Sequence, residues 1–194
     1  MASTNQQKYT SPNPLRKIFL GPFQQKFIRA VTSCRPSSLL EVGAGEGYLL
    51  VALQPHLGHI PVVGLDLDPA WVAEGRRLWP ALDLRVGDIY RLPPANRSWD
   101  VVVASEVLEH LERPADALRE LRRVSQRAVV LSVPWEPWFR GLNFLRGKHW
   151  SRGGNHPEHL QRWTPRQFSQ LVASVLTVER VIPAFPWTII VAKV

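Results

Sequence analysis

The segment Leu39-Leu40-Glu41-Val42-Gly43-Ala44-Gly45-Glu46-Gly47-Tyr48 sets the tightest limit on how this chain can fold. A short apolar run ends in an acid, three glycines follow at alternate positions, and an apolar-periodic run then begins. That order predicts a buried strand, a tight turn and a helix. Glycine accepts the positive φ of such a turn and lets a ligand lie against bare main chain. A pyrophosphate-binding turn is written G-x-G-x-x-G. Here the spacing is G-x-G-x-G, with an acid two residues before the first glycine. Taken alone, the segment also reads as a plain glycine turn of an α/β protein.

The rest of the sequence repeats this alternation. Residues 1–14 are polar with two prolines and read as a mobile arm. From Arg16 to Ser33, Ile18, Phe19, Phe23, Phe27, Ile28 and Val31 form a helical stripe that Gly21-Pro22 is expected to break. Leu39–Val42 reads as the first strand and Glu46–Gln54 as the first helix. Pro61–Leu65 is a second buried strand, and Pro69 suits the first position of the next helix. Leu84–Val86 and Val101–Ala104 are the third and fourth strands; the fourth is wholly apolar, as parallel strands covered on both faces tend to be. Pro114–Val124 is a helix with Leu118 and Leu121 inward, and Ala128–Val133 a fifth strand. Thr164-Pro165 caps a helix running to about Val172. Val175–Val181 and Thr188–Val194, joined by Pro183-Ala184-Phe185-Pro186, lie too close for a helical crossover and predict an antiparallel hairpin. Strands alternating with helices predict a parallel sheet in an α/β fold.

Composition narrows the class. At 194 residues, with 45% hydrophobic and 21% charged residues, one globular domain over 1–194 is expected. No window approaches 18 uninterrupted apolar residues, so no spanning helix is expected. Met1–Ser11 lacks an apolar core, so no secretory signal is expected, and the single Cys34 points to a reducing, cytoplasmic setting. One cysteine also excludes a disulfide framework, a cysteine zinc cluster and iron–sulfur radical chemistry. The net charge of +8 is compatible with nucleic acid, an anionic membrane or solubility alone. The basic residues are dispersed, which favours the last.

The glycine turn resembles motif I of the class I S-adenosyl-L-methionine (SAM) methyltransferases, and three further stretches carry the same resemblance. The second strand ends Val63-Gly64-Leu65-Asp66-Leu67-Asp68. Asp66 stands 19 residues after Gly47, where a second strand tip sets a carboxylate on a ribose. Ionised, it can accept from both hydroxyls. Asp68, before Pro69, reads as a helix cap. The third strand ends Val86-Gly87-Asp88-Ile89, similar to the family's adenine-binding motif. There the aspartate takes the exocyclic amine and the apolar residue packs on the ring; a solvated turn aspartate is the alternative. Finally, Trp99-Asp100-Val101-Val102-Val103-Ala104-Ser105-Glu106-Val107-Leu108-Glu109-His110-Leu111 closely resembles the family's FDxVxxxxVLEHL motif.

The resemblance covers residues 39–111; beyond 111 only the order of elements supports it. It implies a three-layer Rossmann-like sandwich whose seven-stranded, mostly parallel sheet ends in the C-terminal antiparallel hairpin. It implies SAM as cofactor, held by Glu41, Gly43, Gly45, Gly47, Asp66, Leu67, Asp88, Ile89, Ser105 and Glu106, with Val107-Leu108 lining it and His110 facing the acceptor. The group it points to is the one resembling ubiquinone- and menaquinone-biosynthesis methyltransferases.

Methyl transfer from a sulfonium is an in-line displacement in which alignment supplies much of the rate. A hydroxyl acceptor would also need a base, and imidazole is the natural one near neutral pH. His110 is one candidate, with packing as the alternative. Lys148–His159 holds three of the six histidines beyond the fifth strand, at the edge where open α/β sheets bind ligands. His156 and His159 read as base or acceptor-orienting groups, or as surface residues bonded to water. His149, His156, Glu158 and His159 match no standard metal spacing, so no metal is expected.

The insert 134–163 is expected to lie over the active site. Trp135, Trp138, Phe139 and Phe144 are interleaved with Arg140, Arg146 and Lys148. One reading is a lid that shapes an apolar acceptor pocket. A second is peripheral contact with an anionic membrane through Trp135–Lys148, and a third is plain core packing.

A small apolar or lipid-like acceptor is therefore expected, with no nucleic-acid partner. A nucleic-acid or protein methyltransferase is the alternative. Against it, Ala104-Ser105-Glu106-Val107 lacks the Asp/Asn-Pro-Pro-aromatic motif of amino-methylating DNA enzymes, and Glu106 and Glu109 are too close for the glutamate pair of protein-arginine enzymes. A non-catalytic SAM-binding module has no need of Glu41, Asp66 and Asp88 together. A nicotinamide dehydrogenase is disfavoured by the glycine spacing and the closing hairpin.

Overall fold

The computed structural model describes residues 14–135 and 160–194, the side chains of 14–18 excepted. Seven strands form one sheet: β1 (Leu39–Val42), β2 (Val62–Asp66), β3 (Asp83–Val86), β4 (Trp99–Ser105), β5 (Ser125–Pro134), β6 (Thr177–Ala184) and β7 (Trp187–Lys193). Their order is β3-β2-β1-β4-β5-β7-β6. β1 to β5 are mutually parallel, and β7 runs antiparallel between β5 and β6. The expected closing hairpin is present, with β6 extending through Ala184, so that only Phe185-Pro186 remains as its tip.

Among the described residues, five helices cover the sheet: α1 (Pro14–Ser33), α2 (Tyr48–Leu53), α3 (Pro69–Leu78), α4 (Pro114–Val124) and α5 (Pro165–Ala173). Side chains alternate between the two faces of each strand. Leu39, Val101, Val103, Val130 and Ile189 face the first helical layer, where they pack with Phe23 and Phe27 of α1, Leu50 and Leu53 of α2 and Val72 of α3. Leu40, Val102, Val129, Leu131 and Ile190 face Leu118 and Leu121 of α4 and Phe168 and Val172 of α5. Each such side chain contributes about 1.5–3 kcal/mol by leaving water. The result is the three-layer α/β sandwich.

The helix starts follow local chemistry. Asp68 caps α3 by accepting the Ala70 N–H at 2.8 Å, and Pro69 follows it. Thr164 and Gln167 form a capping box at α5. α2 is shorter than expected: it begins at Tyr48, because Gly47 has φ 84° and leaves Glu46 in the turn, and its C-terminal end tightens into a 3₁₀ turn, Gln54–His56. The expected break at Gly21-Pro22 is absent. α1 begins at Pro14 and continues through both residues. Pro22 is exposed, so the helix loses one hydrogen bond on its wet side, while Leu20, Phe23, Phe27, Ala30 and Val31 anchor the helix on either side of it.

Asp100 of the fourth motif lies at the amino edge of the sheet, away from the glycine turn. Its carboxylate accepts from Ser37 N–H at 2.7 Å and from Arg127 Nε and Nη2 at 2.8 and 2.7 Å, tying β1's entry, β4 and β5 together. The Arg127 guanidinium, aided by Ser37, holds it at about 2, below the ordinary carboxylate value.

Candidate active site

The strand order reverses between β1 and β4, so the carboxyl ends of these strands open the crevice where α/β sheets bind ligands. The glycine turn leaves β1 into this crevice. Gly43, Gly45 and Gly47 have φ values of 79°, 53° and 84°, conformations that L side chains rarely adopt. The Asp66 carboxylate, at the tip of β2, braces the turn. Oδ2 accepts the Gly45 N–H at 2.6 Å and Oδ1 accepts the Asp68 N–H at 3.0 Å. Each oxygen keeps a second lone-pair direction. Burial raises the Asp66 pKa, opposed by these backbone bonds.

Two more acids crowd this turn. Glu41 and Glu46 are each 2% exposed, and one carboxylate oxygen of each has no hydrogen-bond partner among the described residues. Burial, reinforced by the charge of Asp66, pushes the Glu41 carboxyl well above its ordinary value. Three carboxyl groups surround the turn, whose residues Ala44 to Gly47 are buried and whose Gly43 is half-buried. A pyrophosphate would meet repulsion there.

Beyond β4, Ser105 Oγ and Ser132 Oγ bond at 2.9 Å, and the Glu106 N–H donates to the Ser132 carbonyl at 2.9 Å. Glu106 has φ 58°, a strained conformation for a side-chain-bearing residue. Val107 then packs over Gly43: a Cβ there would stand 2.3 Å from Val107 Cγ2. A 3₁₀ turn, Leu108–His110, follows. His110 is half-buried in it, and its N–H donates to the Val107 carbonyl at 3.0 Å. The chain returns here at Leu160 and Gln161, whose N–H groups both donate to the Glu109 carbonyl at 2.9 Å.

Residues 40–132 match a family described as a methyltransferase domain. A protein named a probable S-adenosylmethionine-dependent methyltransferase in Mycolicibacterium smegmatis is 38% identical over 105 residues, 54% of this chain and 40% of its own length. A demethylmenaquinone methyltransferase of Beutenbergia cavernae is 29% identical over 135 residues, 68% of this chain and 55% of its own. Over residues 40–132 the chain is thus similar to SAM-dependent methyltransferases. The chain spans about two fifths of the length of the first curated relatives it matches. Among solved structures, a SAM-dependent methyltransferase from Aquifex aeolicus has a TM-score of 0.69 at 13% identity, with 98% of both chains covered. PigF bound to SAH has a TM-score of 0.72 at 20% identity, over 91% of this chain and 56% of its own. These two likenesses concern the fold.

In this crevice, Glu41, Gly43, Gly45, Gly47 and Asp66 converge on one turn. Ser105, Glu106 and His110 stand across from it at the β4 tip. Leu67 projects from the β2 tip and is 68% exposed. Asp88 sits in an exposed turn, where its Oδ1 accepts the Tyr90 N–H at 2.8 Å, and Ile89 beside it is buried. Leu108 departs from expectation: it is fully buried in the α4-side core with Leu118 and Leu121, so it supports the crevice wall from behind and does not line it. Its neighbour Val107 is half-buried and packs on Gly43. His156 and His159, with the body of the insert, lie outside the described residues.

Two glycines that shape the site escape motif reading. Gly75 lies inside α3, and a Cβ on it would stand 2.4 Å from Leu84 Cδ1 and 2.8 Å from the Glu46 carbonyl. Gly64 in β2 is packed as closely, 2.5 Å from Leu84 Cδ2 and 2.9 Å from Ala44 Cβ. Both let α3 and β3 press against the glycine turn. The available signal is a glycine in mid-helix, which costs about 1 kcal/mol unless close packing needs it.

Proposed function

We propose that this chain transfers a methyl group from SAM to a small, apolar or lipid-like acceptor by direct displacement. The observation that carries the reading is the acid-lined glycine turn braced by Asp66 at the β1/β4 switch point. Carboxyl groups around this turn fit a ligand bearing a sulfonium, an ammonium and a ribose, and no phosphate. When bound, SAM supplies a methyl already activated by its sulfonium.

The protein's own groups then hold and align. Asp66 takes the ribose hydroxyls, and Glu41 packs behind the turn with its carboxyl held toward the neutral form by burial. Leu67 covers one face of the adenine, while Asp88 and Ile89 bound its far edge. Ser105 and Glu106 flank the reacting end. His110, from the turn beyond β4, faces the acceptor and takes its proton where the acceptor is a hydroxyl, with His156 and His159 as further candidates. The names of the menaquinone relatives support a ring-bearing, lipid-like acceptor.

Calorimetry with SAM tests the core of the reading, with Asp66→Ala as the control. Micromolar binding that the substitution weakens at least tenfold is expected; wild-type protein that does not bind SAM would overturn it. Peripheral membrane contact through Trp135–Lys148 belongs to the same proposal. It predicts co-sedimentation with anionic liposomes that is lost on deleting residues 135–148.

A further inference from the structure

A second cluster of charge lies at the amino edge of the sheet, opposite the glycine turn. A cavity of about 320 Å³ opens there, bounded by Ser33 and Cys34 at the end of α1, Arg127 of β5, Glu179 and Arg180 of β6 and Lys193 of β7. That volume falls at the lower end of the range for small-molecule sites. Leu39 is level with Val101, and Val101 with Ala128. The cavity therefore sits about 13 Å back from Gly43 along the strands, and two or more strands across from it.

A bulge aims its lining. Successive residues of a strand ordinarily point to opposite faces, yet Glu179 and Arg180 both line this one cavity. Glu179 Oε1 pairs with Lys193 Nζ at 2.9 Å, and Arg180 Nη2 donates to Ser33 Oγ at 2.6 Å. The register shift between Val178 and Arg180 makes Glu179 an extra residue in β6, and such bulges re-aim side chains.

The charges do not cancel. Arg127 is committed to Asp100, and Lys193 to Glu179. Among the described residues, Arg180 forms no ion pair; its partner Ser33 is a neutral hydroxyl that itself donates to the Ala30 carbonyl at 2.8 Å. Cys34 adds no negative charge, because burial raises its thiol pKa against the pull of Arg180 and Arg127. The end of α1 does not call for Arg180 either. The Cys34 and Arg35 N–H groups donate to the Val31 and Thr32 carbonyls, and Arg127 Nη2 covers the Arg35 carbonyl. Three cations thus face two carboxylates, and the one left over is a guanidinium, whose planar fork takes an oxyanion through two parallel bonds. The Lys193–Glu179 pair is exposed and weakly held, so its lysine can turn to an incoming anion.

We propose that this cavity binds a small polyvalent oxyanion, an organic phosphate or a polycarboxylate, with Arg180 as its bidentate anchor and Lys193 as its second contact. The site is independent of the donor crevice and gives the chain a second ligand.

Calorimetry with pyrophosphate and with citrate, at ionic strength matched with sodium chloride, tests it. Cys34, the one cysteine of the sequence, reports where they bind through its alkylation by uncharged N-ethylmaleimide. Wild type should bind at least one of the two with a Kd of about 1 mM or tighter, and Cys34 alkylation should slow by about fivefold or more at saturation. Arg180→Gln should weaken binding by about tenfold or more, and Arg180→Lys, which keeps the charge and loses the fork, by about threefold. Arg122→Gln, which removes an exposed charge from α4, should change binding by less than about twofold. Affinity for S-adenosylhomocysteine (SAH) should be unchanged in all three. Binding of pyrophosphate alone would identify a phosphate ligand, and of citrate alone a carboxylate ligand. No binding of either by wild type, equal losses in Arg180→Gln and Arg122→Gln, or binding that leaves Cys34 alkylation unchanged would overturn the proposal. Circular dichroism checks each variant; if Arg180→Gln fails to fold, full wild-type affinity in Arg180→Lys overturns it instead.

Discussion

Replacing Gly43 by alanine tests whether the donor-side turn and the loop beyond β4 are one packed unit. A Cβ on Gly43 would stand 2.3 Å from Val107 Cγ2 and 3.3 Å from Cγ1. Gly43 also has φ 79°, and an L side chain in the left-handed region costs about 1–2 kcal/mol. Displacing Val107 adds about 1–3 kcal/mol of overpacking, so Gly43→Ala should cost about 2–5 kcal/mol in total. Val107→Ala alone should cost about 1 kcal/mol, because its methyls are only half-buried. In the double variant the obstruction is gone and only the backbone strain and the lost methyls remain. Its cost should be about 2–3 kcal/mol, below the sum of the single changes by about 1–3 kcal/mol. Urea unfolding followed by tryptophan fluorescence measures all four proteins, provided the slopes agree. SAH calorimetry on the same samples should show affinity lost in Gly43→Ala and partly restored by Val107→Ala. Stabilities that add within about 0.5 kcal/mol would refute the packed-unit reasoning.

Glu41 has a folded pKa raised above its unfolded value, so its contribution is fully present below the unfolded pKa and is lost as pH rises through the folded one. Glu41→Gln should therefore gain stability over wild type at neutral and higher pH and lose that advantage below about pH 4.5, measured by urea melts across pH. Asp100 has the opposite sign. Its pKa is lowered to about 2, so the staple to Arg127 is at full strength above about pH 4 and fades as pH falls toward 2. Arg127→Met should remove about 1 kcal/mol, discounted for the half-exposed arginine, and flatten that acid limb. Gly75→Val should cost at least 2 kcal/mol and weaken SAH binding, because the nearest obstacles include the backbone of Glu46, which cannot swing aside; unchanged thermal stability would refute the close packing.

Much of this protein was written locally. The apolar runs of β1, β2 and β4, the proline at the start of α3, the Thr164 cap and the closing hairpin each depend on neighbours within a few residues. Such features survive translation from sequence because backbone sterics and hydrophobic period act over that range. The glycine turn and the ends of the three further stretches likewise fell at one edge, since those residues follow strand tips and strand tips share one edge. Tertiary structure decided the rest. Pro22 stays helical because buried residues on either side of it hold α1 against the sheet. Leu108 serves the core, although the motif set it beside Val107, because successive side chains in a 3₁₀ turn point about 120° apart. Asp100, inside the same motif, proved to be an amino-edge staple, since a strand is long enough to carry its two ends to opposite edges of the sheet. Gly75, Gly64 and the cavity around Arg180 acquire meaning only from atoms distant in sequence. Their roles are contacts, and a contact between distant residues exists only after the sheet has brought them together.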